Sequence, residues 1–457
     1  MIFRIATNLL LIGILSSQEE SVFARADEID VSDGKTLKMV HLVYRHGHRS
    51  PVAIYPNNPY QENVWPDGLS RLTQIGMNME YDLGKFLRNR YVEAGFINSS
   101  YLHKEVYIRS SGVDRCLQSA ESQLAALYPP KGWQVWNTEI PWQPVPVQTV
   151  PSDNDPVLRP DSTVCPALKK IWEAKEYEPE YLKKKKEYEN LMAYVSHHSG
   201  WNVTFDNAWM VMDDFKSEKV QGFPTPGWAV PIYDDLQYIT DWLFLNKYVG
   251  GKKLGRILGG TLLGIMNKGM LKFSKGKDLD KLHKLNMFSG HDTSILSLST
   301  ALDIHITESP YYASCFMIEL FTNRRGKYFV EMNFRNDSSG STYPAKLKGC
   351  RYRCPLKKFI KLTKPRIPSD RDKDCGITDK KPVPSSKTRE VKAGALYWRI
   401  LTFLFLALTA LLLFVLISIL AKRKRPYERQ VDESFSTEEK SASDKEFEVH
   451  GVVVKQV

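Results

Sequence analysis

No second Cys/His pair in this chain completes the zinc half-site that Cys350 and Cys354 could form. A local disulfide is the simpler reading of that pair. Zinc-finger, RNA-recognition and basic-helix patterns are missing too, so the formal net charge of +11 does not call for nucleic acid. Four of the basic residues sit in one cluster, Lys422-Arg423-Lys424-Arg425. Internal repeats are absent. Charge is absent altogether from Ile400 to Ala421, a run of 22 residues.

What is there begins with an ordinary globular composition, 42% apolar and 25% charged. Met1-Ile2-Phe3-Arg4 leads into an apolar stretch from Ile5 to Leu15, with small residues near Ala24 and Ala26. That pattern predicts a signal peptide over 1–24. The uncharged run at 400–421, at roughly 1.5 Å per residue, can cross a hydrocarbon core of about 30 Å. The basic cluster directly after it marks the cytoplasmic side. The expected topology is a single-span type I membrane protein with a cytoplasmic tail over 422–457. Residues 366–399, rich in Pro, Lys and Asp, read as a stalk. Asn98, Asn202 and Asn336 open glycosylation acceptor motifs, and all three fall on the lumenal side. So do all six cysteines, in a compartment that favours disulfides. The tail motif Tyr427-Glu428-Arg429-Gln430 ends in Gln rather than a bulky apolar residue, so it does not separate lysosome from plasma membrane.

Periodicity predicts an α/β domain over 30–150 and 271–365, interrupted by a mainly helical inserted domain over 151–270. Met39 to Tyr44 reads as a buried strand. Leu72, Ile75, Met79, Leu83, Phe86 and Leu87 mark one helix face, with Thr73 available near its start. Val106 to Ile108 and Leu285 to Ser289 are further strands. Tyr328, Val330, Met332 and Phe334 alternate with polar residues, as in a half-buried strand.

Three of these strands end in chemistry. Arg45-His46-Gly47-His48-Arg49-Ser50-Pro51 follows the first. Asp114-Arg115 follows the second, and His291-Asp292 the third. Catalytic groups commonly sit where a core strand gives way to a loop. Guanidinium groups suit a phosphate dianion, a neutral imidazole can attack phosphorus, and a carboxyl group can protonate a leaving oxygen. A rival reading makes His46, His48, His291 and Asp292 metal ligands. Arg45 and Arg49 would then put fixed positive charge beside the cation.

These motifs resemble the histidine acid phosphatases, in particular the prostatic and lysosomal branch. The likeness runs from about 37 to 376 and includes Leu72 to Met77, Val106 to Ser110, Val113 to Arg115, His291 to Thr293 and Tyr312 to Cys315. It implies a three-layer fold like that of phosphoglycerate mutase. It implies His46 as nucleophile, Asp292 as proton donor, and Arg45, Arg49, Arg115 and His291 as phosphate ligands. No metal or other cofactor is implied. The substrate would be a small phosphomonoester or a phosphoprotein, and relatives are dimers. An acidic lumen, that of the lysosome first, suits a proton-donating Asp292. The resemblance pairs Cys165 with Cys375 and Cys350 with Cys354. The family partner of Cys315 would fall near Ser217, which leaves Cys116 and Cys315 free or paired with each other. His48, Gly112 and Cys116 depart from close relatives, the last two bracketing Arg115. Arg109 reads as a structural ion pair. A receptor ectodomain on the same scaffold is the competing function.

Overall fold

The computed structural model describes residues 34–304, 306–337, 340–377 and 386–424. The expected signal segment (1–24) and the tail from 425 lie outside them. Strand β1 (Thr36–Arg45) is the centre of the molecule. It lies beside β2 (Val106–Ser110), β3 (Leu285–Gly290), β4 (Cys315–Thr322), β5 (Tyr328–Arg335), β6 (Thr342–Ala345) and β7 (Cys354–Pro355) in one mixed sheet. The order is β2-β3-β1-β4-β5-β6, with β7 also on β5. β1, β2 and β3 run parallel, and β4 runs antiparallel to β1. Register aligns Arg45 with Gly290, Ser110 with Ser289 and Tyr44 with Cys315. All three strand-end motifs therefore emerge at one edge, joined there by the segment that leads into β4.

Side chains of β1 alternate between two cores, as the two-residue repeat of a strand requires. Val40, Leu42 and Tyr44 pack with α1 (Gln74–Leu87) and α2 (Asp114–Leu127) on one face. Each is fully buried, worth about 1.5–3 kcal/mol apiece for side chains of this kind. Thr73 caps α1 by accepting the Gly76 N–H at 3.1 Å. Between β2 and β3 run α3 (Pro166–Lys175), α4 (Pro179–Glu187), α5 (Glu189–Ser199), α6 (Trp209–Gln221), α7 (Tyr233–Tyr248), α8 (Lys252–Leu258) and α9 (Gly260–Ser274). α10 (Asp292–Leu302) follows β3, and α11 (Leu356–Thr363) and α12 (Arg371–Cys375) follow the sheet.

Two boundaries and one strand face differ from the sequence reading. Ile257, Leu258, Leu262, Leu263 and Met266 of α8 and α9 pack with Met39 and Val43 on the second face of the sheet. That part of 151–270 is thus the third layer, while a separate helical core holds Tyr181, Met192, Phe205, Phe215 and Ile239. Residues 366–376, expected in the stalk, are folded: the Cys165–Cys375 disulfide and the Arg256–Asp374 ion pair at 2.6 Å fasten them. The polar face of β5 is also buried rather than half-exposed. Glu331 pairs there with Lys35 at 2.8 Å, and Asn333 donates to Glu319 at 2.9 Å. The second disulfide joins Cys350 to Cys354, and Cys116 and Cys315 are free and buried. Helix α13 (Ser386–Lys424) forms a separate unit, and its Trp398–Leu420 segment has a mean hydropathy of 3.0.

Candidate active site

His46 is fixed before any substrate arrives. Its backbone N–H donates to the Gly290 carbonyl at 3.0 Å, and its carbonyl accepts the Ala313 N–H at 3.2 Å. Arg45 is clamped likewise, donating its N–H to the Ser314 carbonyl at 3.0 Å. The next residue must be glycine: a Cβ on Gly47 would stand 2.2 Å from the Gly76 carbonyl oxygen, and one on Gly76 would stand 2.1 Å from that of His48. The loop and the first turn of α1 thus meet backbone to backbone. His46 is 2% exposed. Its Nδ1 lies 2.8 Å from the Gly47 carbonyl, which can only accept. Nδ1 therefore carries the proton and Nε2 keeps its lone pair. Burial, then Arg115 and Arg45, hold the imidazole pKa well below its ordinary value.

The cations gather around this ring. Arg45 stacks over Tyr312 at 4.3 Å, donates to the Pro310 carbonyl at 2.8 Å, and pairs with Asp292 at 3.0 Å. Burial works against both charged forms, but the fork of Arg49 with Asp213 at 2.9 and 2.7 Å outweighs it, raising the guanidinium pKa and lowering that of the carboxylate. Arg115 sits in the first turn of α2, and burial depresses its pKa. Arg45, Arg49 and Arg115 each keep a buried Nε without a hydrogen-bond partner. An anion among them would meet several donors that lack one. His291 packs edge-on to His46 at 5.5 Å. Its Nε2 lies 3.0 Å from Ser111 Oγ and 3.5 Å from Cys116 Sγ. Burial and Arg115 also keep it neutral. Asp292 begins α10 and is partly exposed beside Arg45.

The structure brings Arg45, His46, Arg49, Arg115, His291 and Asp292 together. It does not bring His48 with them as a ligand. The His48 Nε2 lies 2.9 Å from the Ser217 carbonyl and Nδ1 lies 2.7 Å from Thr73 Oγ1. Both nitrogens are engaged away from His46, which removes the His48 arm of the metal reading. Burial lowers the His48 pKa to about 4. Arg109 pairs with buried Asp155 at 2.6 Å. Asn98 and Asn202 are exposed, and Asn336 is half-buried with its Oδ1 accepting the Tyr311 N–H. Asp213 and Ser111 touch the site without any signal in the sequence. Asp213 arrives from the helical insertion and carries no motif of its own.

Strands ending at one edge, helices starting there, and arginines packed round a buried imidazole make a site that suits a phosphate group. The chain belongs to the Histidine phosphatase superfamily (branch 2), which matches residues 36–335. It is 38% identical to human lysosomal acid phosphatase over 348 residues, spanning 75% of this chain and 81% of that one. Human prostatic acid phosphatase is 38% identical over 350 residues, spanning 76% and 89%. The solved structure of Hafnia alvei phytase with myo-inositol hexakis sulphate superposes with a TM-score of 0.59 at 17% identity, covering 75% of this chain and 98% of that one. The phytase of Citrobacter braakii gives 0.57 at 18%, covering 75% and 100%. The phytases share the fold.

Proposed function

We propose that this protein is an acid phosphatase that hydrolyses phosphate monoesters through a phosphohistidine, without a metal, in an acidic lumen. The observation that carries the reading is His46: a buried imidazole among three arginines, its Nδ1 against the Gly47 carbonyl, with burial and those charges holding its pKa well below the ordinary value. Most histidines would be protonated, and not nucleophilic, at acidic pH.

Arg45, Arg49, Arg115 and His291 bind the phosphoryl oxygens. His46 Nε2 attacks phosphorus, the P–N bond forms, and the bond to the leaving oxygen breaks. Asp292 gives its proton to that oxygen. Phosphate taking over Arg45 frees Asp292 from its ion pair for this role. In the second step Asp292 accepts a proton from water, whose oxygen attacks phosphorus and breaks the P–N bond. Phosphate leaves and His46 is neutral again. The type I topology, the glycans at Asn98, Asn202 and Asn336, and a lysosomal address belong to the same proposal, with the plasma membrane as the alternative address. The relatives' names and the α13 span support it.

The test is hydrolysis of an aryl phosphate by the full-length protein in detergent, at acidic pH with excess chelator. Chelator-resistant turnover that His46→Ala reduces by at least about a thousandfold is the expected result. Acid quenching should trap label from a radioactive phosphoryl group on the wild type alone. Loss of turnover with chelator would favour a metal site, and a folded but inert protein would favour a binding role.

A further inference from the structure

Arg159 is a cation beside the site that the mechanism above does not use. It stands in the segment between α2 and α3, and that segment is tied down on both sides. Buried Asp155 uses one oxygen to hold Arg109 at 2.6 Å and the N–H groups of Val157 and Leu158 at 3.0 and 3.1 Å. Its carbonyl accepts the Arg159 N–H at 3.0 Å. The Leu158 carbonyl accepts from Ser294 Oγ at 2.7 Å. Ser294 lies in the first turn of α10, the turn that opens with Asp292. Downstream, Arg371 donates to the Pro160 carbonyl at 3.1 Å and to Thr163 Oγ1 at 2.7 Å. The backbone of Arg159 is therefore held in place relative to the helix that carries the proton donor.

The side chain is held more loosely. Arg159 Nε is 3.8 Å from Asp161 Oδ1, with the side chain 23% exposed, and Nη2 reaches Ser162 Oγ. Asp161 already accepts the Tyr248 hydroxyl at 3.2 Å. At 3.8 Å the Arg159–Asp161 contact is a long, monodentate ion pair, and a carboxylate or phosphate meeting the guanidinium fork would displace it. The charge of Arg159 is felt at His291, at Arg115 and at Tyr248, and Tyr248 also feels Asp292. The bond from Ser294 Oγ to the Leu158 carbonyl puts Arg159 beside the first turn of α10, on the Asp292 side of the cluster, where the alcohol half of a substrate departs.

We propose that Arg159 is a specificity-determining residue that binds a second anionic group on the leaving-group side of phosphomonoester substrates. The inference rests on the phosphatase reading and narrows its substrate class to monoesters whose alcohol carries a carboxylate or a further phosphate. Phosphoglycerate and glycerol phosphate form the discriminating pair, since they share a skeleton and only the first bears a carboxylate. The experiment measures kcat and KM for both with full-length wild type, Arg159→Gln and Arg159→Lys in detergent. Wild type should prefer phosphoglycerate. Arg159→Gln should lower the ratio of the two kcat/KM values by about fivefold to twentyfold, chiefly through the KM for phosphoglycerate. Arg159→Lys should restore part of the ratio. A ratio that does not move, or an equal loss on both substrates, overturns the inference. Wild type inert toward an aryl phosphate overturns the phosphatase reading instead, so the two failures are told apart.

Discussion

At the scale of single residues, the site depends on side chains that are missing as much as on those present. Gly47 and Gly76 let two backbones touch, so Gly47→Ala should cost about 1–3 kcal/mol of stability by overpacking and abolish aryl phosphate turnover. A thermal melt and a kinetic assay check it. Gly227→Ala, with nothing within 4 Å of the added Cβ, is the control and should melt like wild type. Gly112 belongs to the same class. A Cβ there would stand 2.4 Å from the Val150 carbonyl oxygen, so any side chain at this position requires the neighbouring segment to move. Arg45, His46 and Arg49 were legible because they are contiguous. Asp213 was not, because an Asp on a charged helix looks like solvated surface until tertiary structure lays it against Arg49.

At the scale of elements, α6 couples the insertion to the site and carries an acid-sensitive cluster. Asp214 and Glu218 are buried on this helix around Asn58, and burial raises them to about 8 and about 7 from 3.8 and 4.5. Their folded forms hold protons that the unfolded chain releases, so their contribution is full below about pH 4 and is lost as pH rises toward about 8. Buried histidines act oppositely. His41 and His48, lowered to about 3 and about 4, lose stability as pH falls below 6.5. A double variant, Asp214→Asn with Glu218→Gln, isolates the carboxyl contribution. Its Tm relative to wild type should climb steadily between about pH 4 and about pH 8, and a flat difference would refute the assignment. The buried Glu331 and Asn333 show why β5 was misread. Strict alternation signals an exposed face only when polar residues meet water, and here they meet Lys35, Glu319 and Tyr352. The boundary at α8 differs because helix periodicity shows which face is apolar, but not which of two cores that face joins. The one at α12 differs because a composition rich in Pro, Lys and Asp does not show the Cys165–Cys375 disulfide and Arg256–Asp374 pair that fasten it.

At the scale of the whole molecule, the chain divides into a unit ending at Thr378 and a second unit containing α13. If Trp398–Leu420 anchors the protein, truncation after Thr378 should move it from the detergent-rich to the aqueous phase in a phase-separation assay. Aryl phosphate turnover per molecule should persist. Partition of the full chain into water would refute the anchor. The sheet has a further consequence, and it concerns time. Val40 on β1 meets Asn286 on β3 across 246 residues of sequence. Ribosomes add about 5–20 residues per second, so β1 waits roughly 12 to 50 seconds for that neighbour to be made. Throughout that interval the strand bearing the proposed nucleophile lacks its β3 neighbour, and Arg45 and His46 stand without His291 and Asp292. The nascent chain therefore passes its longest vulnerable period inert toward phosphate esters, and gains its chemistry only as its last core strands close.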